Sequence, residues 1–180
     1  ATGGARPGRR ATPKAEPAAL VEVVHDSLAS AASPVLVGAY ANDSLRGSAK
    51  YLDGHLGGQL KRAYDMGRYP AQPDDAMVCL NPQENGKPGG AIVVGLGALG
   101  ELMPGELTRA LASGFLEYAR SHETCKRPDA PAPDRLAVSA LLVGIGFTGL
   151  TVEVGVRCLL EALMQANRRL RAAGSVARIG

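Results

Sequence analysis

Tryptophan is absent from the 180 residues, phenylalanine occurs twice, and aromatics make up only 4% of the chain. A core without large rings must be built from Ala, Val, Leu and Ile, with the 23 glycines serving tight turns and close packing. Cysteine is also sparse. Cys79, Cys125 and Cys158 form no C-x-x-C pattern, which argues against a disulfide framework and against a thiolate metal site. Two of them sit in apolar runs (Met77-Val78-Cys79-Leu80 and Val156-Arg157-Cys158-Leu159), where a thiol acts as a small apolar group. A reducing cytoplasm is the expected setting. His25, His55 and His122 share no metal-ligand spacing. No apolar stretch reaches the roughly 18 residues of a membrane span, and no signal-peptide core opens the chain. There is no G-x-S-x-G elbow and no cysteine flanked for activation. No catalytic residue, cofactor or metal is therefore expected.

A charge excess is missing too, once the charges are located. The net charge of +3 comes from residues 1–18, where Arg6, Arg9, Arg10 and Lys14 face only Glu16. The remainder is electrically balanced and offers no footprint for nucleic acid. Residues 1–18 are rich in Ala, Gly, Pro and Arg and read as a flexible basic linker. Residues 19–180 read as one domain, large enough to bury about 70% of its unfolded surface.

What is present is an alternation of strands and helices. Strands are predicted at Leu20–His25, Pro34–Tyr40, Ala76–Leu80, Gly90–Leu96 and Arg135–Val143, with a further strand beginning near Ser175–Ile179. Helices are predicted where Ala49, Leu52, Leu56, Leu60 and Ala63 recur, with an N-cap at Asn42-Asp43-Ser44 and a break at Gly57-Gly58. Another begins at Pro104. The last follows Thr151, with Val156, Leu159, Leu160, Leu163 and Leu170 as its buried face and Gly174 past its end. Asn85-Gly86 suits a primed turn and makes the flanking strands a hairpin. The fold class is thus α/β, three layers α/β/α around a mixed central sheet.

Two glycine-rich loops carry the chemistry worth weighing. Gly95-Leu96-Gly97-Ala98-Leu99-Gly100 fits G-x-G-x-x-G after a strand. Glu101, Leu102 and Met103 then separate it from the helix start at Pro104, and Arg135–Val143 ends in no carboxylate, so a turn packing a helix on the sheet accounts for it better than a dinucleotide site. Gly144-Ile145-Gly146-Phe147-Thr148-Gly149 leads from a strand into a helix, where backbone amides and the helix dipole favour a phosphate.

The residues Leu52-Asp53, Gly57-Gly58-Gln59-Leu60, Val93-Val94-Gly95-Leu96-Gly97 and Glu101-Leu102 resemble the N-terminal domain of leucyl aminopeptidases over residues 20–172. The resemblance implies a macro-like fold, standing apart from the catalytic domain and aiding subunit assembly, as also in bacterial multidomain proteins. The metal-binding motifs of that catalytic domain are not here, so peptidase activity does not transfer. Gly144–Gly149 also resembles the second phosphate loop of macro domains, and Leu36–Asn42 lies where those carry an Asn-Ala-Ala-Asn strand end. Their adenine-recognising Gly-Asp is replaced by Asp26-Ser27.

The expectation is a non-catalytic macro-like accessory module, partnered by other domains or subunits of a larger protein. The alternative is a nucleotide or ADP-ribose-type sensor binding a phosphate-bearing small molecule at Gly144, Ile145, Gly146, Phe147, Thr148 and Gly149, with Asp26, Gly95 and Gly97 as cleft walls. A degenerate dinucleotide-binding domain would need a parallel doubly wound sheet.

Overall fold

The computed structural model describes residues 19–83, 85–125, 135–145, 149–175 and 177–180. The expected linker at residues 1–18 lies outside them, as do Gly146, Phe147 and Thr148.

The apolar run after Pro34 forms β1 (Val35–Ala39). Successive strand side chains point to opposite faces. Val35, Val37 and Ala39 therefore join one core cluster, and Leu36 joins the other. Strand β3 (Gly90–Gly95) divides in the same way, with Ala91 and Val93 on the first side and Ile92 and Val94 on the second. It pairs in parallel with β1. Strand β2 (Ala76–Leu80) pairs antiparallel with β3, so the predicted hairpin forms. Asn85 takes a positive φ of 58°, whereas Gly86 does not, so the connection is no two-residue primed turn. Strand β4 (Ser139–Ala140) pairs in parallel with β1. The order β2-β3-β1-β4 is a mixed sheet and excludes the parallel doubly wound alternative.

One face is covered by α1 (Gly47–His55) and α2 (Gln59–Asp65), through Ala49, Leu52, Leu56 and Leu60. Gly57 and Gly58, at φ 65° and 76°, separate them at the predicted break. The predicted cap at Asn42-Asp43-Ser44 is not used. Arg46 is the N-cap of α1 and makes no side-chain cap bond, while Asn42 turns the chain at φ 61°.

The other face carries α3 (Pro104–Cys125) and α4 (Val152–Ala172). A Cβ on Gly114 would lie 2.5 Å from Val94 Cγ1, so this glycine lets α3 rest directly on β3. Thr151 caps α4 by accepting from the Val154 amide. At the far end Gly174 adopts φ 74° and Ser175 N–H donates to Leu170 O, a six-to-one closure that satisfies the last turn.

Three sequence expectations need correction. The buried face of α4 consists of Gly155, Cys158, Ala162, Leu163, Ala166, Asn167 and Leu170, whereas Val156 and Leu160 are 39% and 38% exposed. Small residues three and four apart let α4 approach its neighbours closely, and this turns the larger Val156 and Leu160 outward. Arg135–Val143 is not a long buried strand. Only Ser139 and Ala140 form β4, and only Leu136 of the segment is buried. It has β1 on one side and a single bridge, Leu136 to Ile179, on the other. Leu20–His25 forms no strand: Val23 is 96% exposed, because a β-branched segment gains order only when a neighbouring strand pairs with it.

Candidate functional site

In open α/β sheets ligands gather beyond the carboxyl ends of the parallel strands. Here that end is formed by the residues after Ala39 and Gly95. Leu96 N–H donates to Ala39 O at 2.8 Å, and Ala41 N–H donates to Gly97 O at 2.8 Å, which fastens the two strand ends together.

The glycines at this end are committed to the fold. Gly95 N–H donates to Asp75 O at 2.9 Å, and Gly97 N–H donates to Ala71 O at 2.9 Å. A Cβ on Gly95 would sit 2.6 Å from Gln72 N, so the absent side chain makes room for the Ala71-Gln72 turn. These amides are spent, which is why a strand followed by G-x-G-x-x-G need not cradle a phosphate. Asp75 stabilises that turn by accepting from the amides of Ala71 and Gln72, and Asp74 pairs with Arg109 at 2.9 Å. The two aspartates serve structure.

Gly144 lies at φ 78° with its Cα facing Leu102 and Leu107 near the start of α3. Ile145 bridges to Leu150 and packs under Gly155 in the first turn of α4, closing the loop that Gly149 leaves at φ 72°. Gly149 and Leu150 lead into Thr151, the cap of α4, as expected, but no strand runs up to Gly144, because β4 ends at Ala140. The middle of the loop's motif, Gly146 to Thr148, falls outside the described residues.

Asp26 does not join these residues. It precedes a 3-10 turn, Leu28–Ser30, ahead of β1. That turn's neighbour Ala31 accepts from Gly89 N–H at the start of β3, and Lys87 lies close enough to act on the Asp26 charge. Asp26 thus sits at the opposite end of the sheet from Gly97. Hydrogen bonds from Ser30 and from the Ser27 amide hold its carboxyl below the usual carboxylate range, with Lys87 adding to the effect. Its role is a local turn.

Other titratable groups are equally dispersed. His55 packs edge-on against Tyr51, and His122 against Tyr118. Burial pushes the Tyr69 phenol well up, with Asp53 and Asp43 adding to it, and burial also raises the Cys79 thiol. Among the described residues, no three His, Cys, Asp or Glu side chains stand close enough to share a metal ion.

Two cavities open elsewhere, and none of the expected site residues lines either. One, about 530 Å³, lies between the α1–α2 joint and β2, beside Leu56, Arg62 and Cys79. The other, about 150 Å³, lies between the amino-terminal half of α4 and β4, beside Phe115, Val138, Leu160 and Leu163.

One residue that sequence reasoning missed is Asn167. Buried on α4, it donates through Nδ2 to Ile179 O at 2.8 Å and accepts from Ile179 N–H at 2.9 Å. A lone amide between Leu163 and Leu170 on a buried helical face was the available signal.

A family model described as Cytosol aminopeptidase family, N-terminal domain, matches residues 36–124. No curated protein matches the chain. Among solved structures, the macrodomain of Mycobacterium tuberculosis DarG superposes with a TM-score of 0.55 at 15% identity, covering 87% of this chain and 93% of that one. A mutant macrodomain from Oceanobacillus iheyensis gives 0.49 at 14% identity, covering 84% and 78%. The likeness to the first is one of fold. With the mixed sheet between helices, it makes this chain a macro-like α/β domain.

Proposed function

We propose that this chain, a macro-like domain of the leucyl aminopeptidase N-terminal type, is a non-catalytic accessory module that mediates assembly or regulation of a larger protein. The observation that carries the reading is an apolar stripe left in solvent. Val152, Val156, Leu160 and Met164 recur every fourth residue along α4 and are 38–55% exposed. A contiguous apolar patch on a folded domain marks a surface awaiting a partner. A reducing cytoplasm is the setting we assign, consistent with Cys79 and Cys158 both being free thiols. No helix among the described residues is long and apolar enough to cross a membrane.

The test is turnover. Incubated with an ADP-ribosylated protein or with a leucyl peptide substrate, the chain should release neither ADP-ribose nor leucine above the uncatalysed rate. Release of either product by the purified chain overturns the reading.

A second reading has one specific observation in its favour. Gly149 and Leu150 lead directly into Thr151, the cap of the long helix α4, and a helix amino end favours an anion. In that reading Gly144, Ile145, Gly146, Phe147, Thr148 and Gly149 hold the phosphate of a nucleotide or ADP-ribose-type ligand. Gly95 and Gly97 offer that ligand no free amide, and Asp26 lies beside Lys87 ahead of β3, at the other end of the sheet.

A further inference from the structure

Along α4, Val152, Val156, Leu160 and Met164 form an apolar row that is 38–55% exposed. It spans about 18 Å, just over three turns. The row one residue on borders it toward solvent and is charged. In it Glu153, Arg157 and Glu161 are exposed, Gln165 follows, and an exposed Arg169 ends it. The row on the other side turns into the protein, with Gly155, Leu163 and Asn167 buried. Charge signs therefore alternate along the solvent flank from Glu153 to Glu161, one turn apart. Arg157 and Glu161 stand four apart on one helix, yet among the described residues neither takes part in an ion pair.

We infer that this row is the interface of a two-fold dimer, in which α4 packs antiparallel against α4 of a second copy of this chain. The charge pattern, and not exposure alone, selects that occupant. In a two-fold antiparallel pair the charged flank of one helix faces the same flank of the other, run in reverse. With the axis beside residue 159, Arg157 of each copy meets Glu161 of the other, and Glu153 meets Gln165. A parallel copy would set Arg157 against Arg157 and Glu161 against Glu161. A surface of one charge sign, such as anionic lipid, would match Arg157 and repel Glu153 and Glu161. Apolar residues four apart form the commonest packing ridge, and two such ridges cross at about −50°. Contact then centres on Val156 and Leu160, with the ion pairs at the rim. Rim charges fix register and orientation more than they add affinity. The eight residues of the two rows from Val152 to Gln165 fall short of the roughly 20–30 a side of a standard interface, so the dimer is weak. The inference rests on the assembly reading and names the partner that reading uses.

The test is sedimentation velocity of the chain in reducing buffer, from about 1 to about 500 µM, the span over which so small an interface dissociates. A monomer–dimer equilibrium is expected. Leu160→Glu, at a position already 38% exposed, should weaken it about tenfold or more. Arg157→Glu and Glu161→Arg should each weaken it about three- to tenfold, since by symmetry each creates two like-charge contacts. The double variant, Arg157→Glu with Glu161→Arg, should recover the original dissociation constant, because the pairs are then exchanged and not lost. A chain that stays monomeric up to the highest concentration overturns the inference. So does a dimer indifferent to Leu160→Glu, or one whose charge variants weaken it without recovery in the double variant. So too does a longer form of the protein that is monomeric under the same conditions, because its own chain then covers the row. A monomeric chain with no enzymatic turnover removes this partner and leaves the accessory reading intact, whereas turnover removes that reading itself.

Discussion

Asn167 and Gly95 show how much of the structure hangs on single residues. Asn167 satisfies both backbone groups of Ile179 inside the protein. Asn167→Ala should therefore strand a buried donor and a buried acceptor, costing about 2–4 kcal/mol in urea denaturation. Gly95 is needed for a different reason, since any Cβ there meets the backbone of Gln72. Gly95→Ala should cost about 1–3 kcal/mol, because backbone can yield less than a side-chain tip. The same two positions mark what was legible at this scale. The glycine of a G-x-G-x-x-G string is visible in the sequence, but its duty depends on the Ala71–Asp75 turn, which a local motif cannot show. The asparagine is visible as a polar intruder on a helical face. Its partner, Ile179, is not, because it lies twelve positions further along the chain, beyond the end of α4.

At the scale of elements, periodicity located the α-helices α1 to α4 and the break between α1 and α2, but not the 3-10 turn Leu28–Ser30. Helices are fixed by local spacing and caps, so α3 begins at Pro104 and α4 follows its cap Thr151, as predicted. Strands were legible at β1 and β3, where both faces are buried, and at the half-buried β2. They were misread where pairing decides, at Leu20–His25 and Arg135–Val143, because apolar composition says nothing of whether a neighbour is present. The orientation of α4 failed for a related reason. Counting large apolar residues favoured Val156 and Leu160, whereas close packing against the sheet side of the molecule selects Cys158, Ala162 and Ala166, with Gly155 resting on Ile145. Paired truncations check this. Leu163→Ala should destabilise by about 2–4 kcal/mol, as a buried leucine does, and Leu160→Ala by about 1 kcal/mol or less. Equal losses at the two positions would contradict the helix orientation described here.

Across the whole molecule, two core clusters sandwich one mixed sheet, and burial is the leading cause of the shifts at three tyrosines besides one cysteine. Burial raises Tyr40, Tyr69, Tyr118 and Cys79 above their ordinary values. Each binds its proton more tightly folded than unfolded, so its contribution to stability is complete below the ordinary thiol and phenol range and declines as pH rises through and above it. The urea midpoint should therefore fall between pH 8 and pH 11. A midpoint that holds or rises over that range would mean these rings and the thiol are solvated.

At the same scale stands the central claim, that the domain joins other polypeptide and neither senses nor processes a nucleotide. The fold was legible as a whole because strand and helix signals alternate. The candidate phosphate loop was legible only as a motif, and the sheet places its proposed partner Asp26 at the wrong end. The most direct test is a thermal-shift measurement of the chain with ADP-ribose, NAD or ATP, with Gly146→Glu alongside. A ligand held at about 100 times its dissociation constant would add about 2.7 kcal/mol, or about 5–11 °C for a domain of this size. The account predicts no shift with any of the three. A shift of that order, abolished by Gly146→Glu, would contradict it and make the loop before α4 a ligand site.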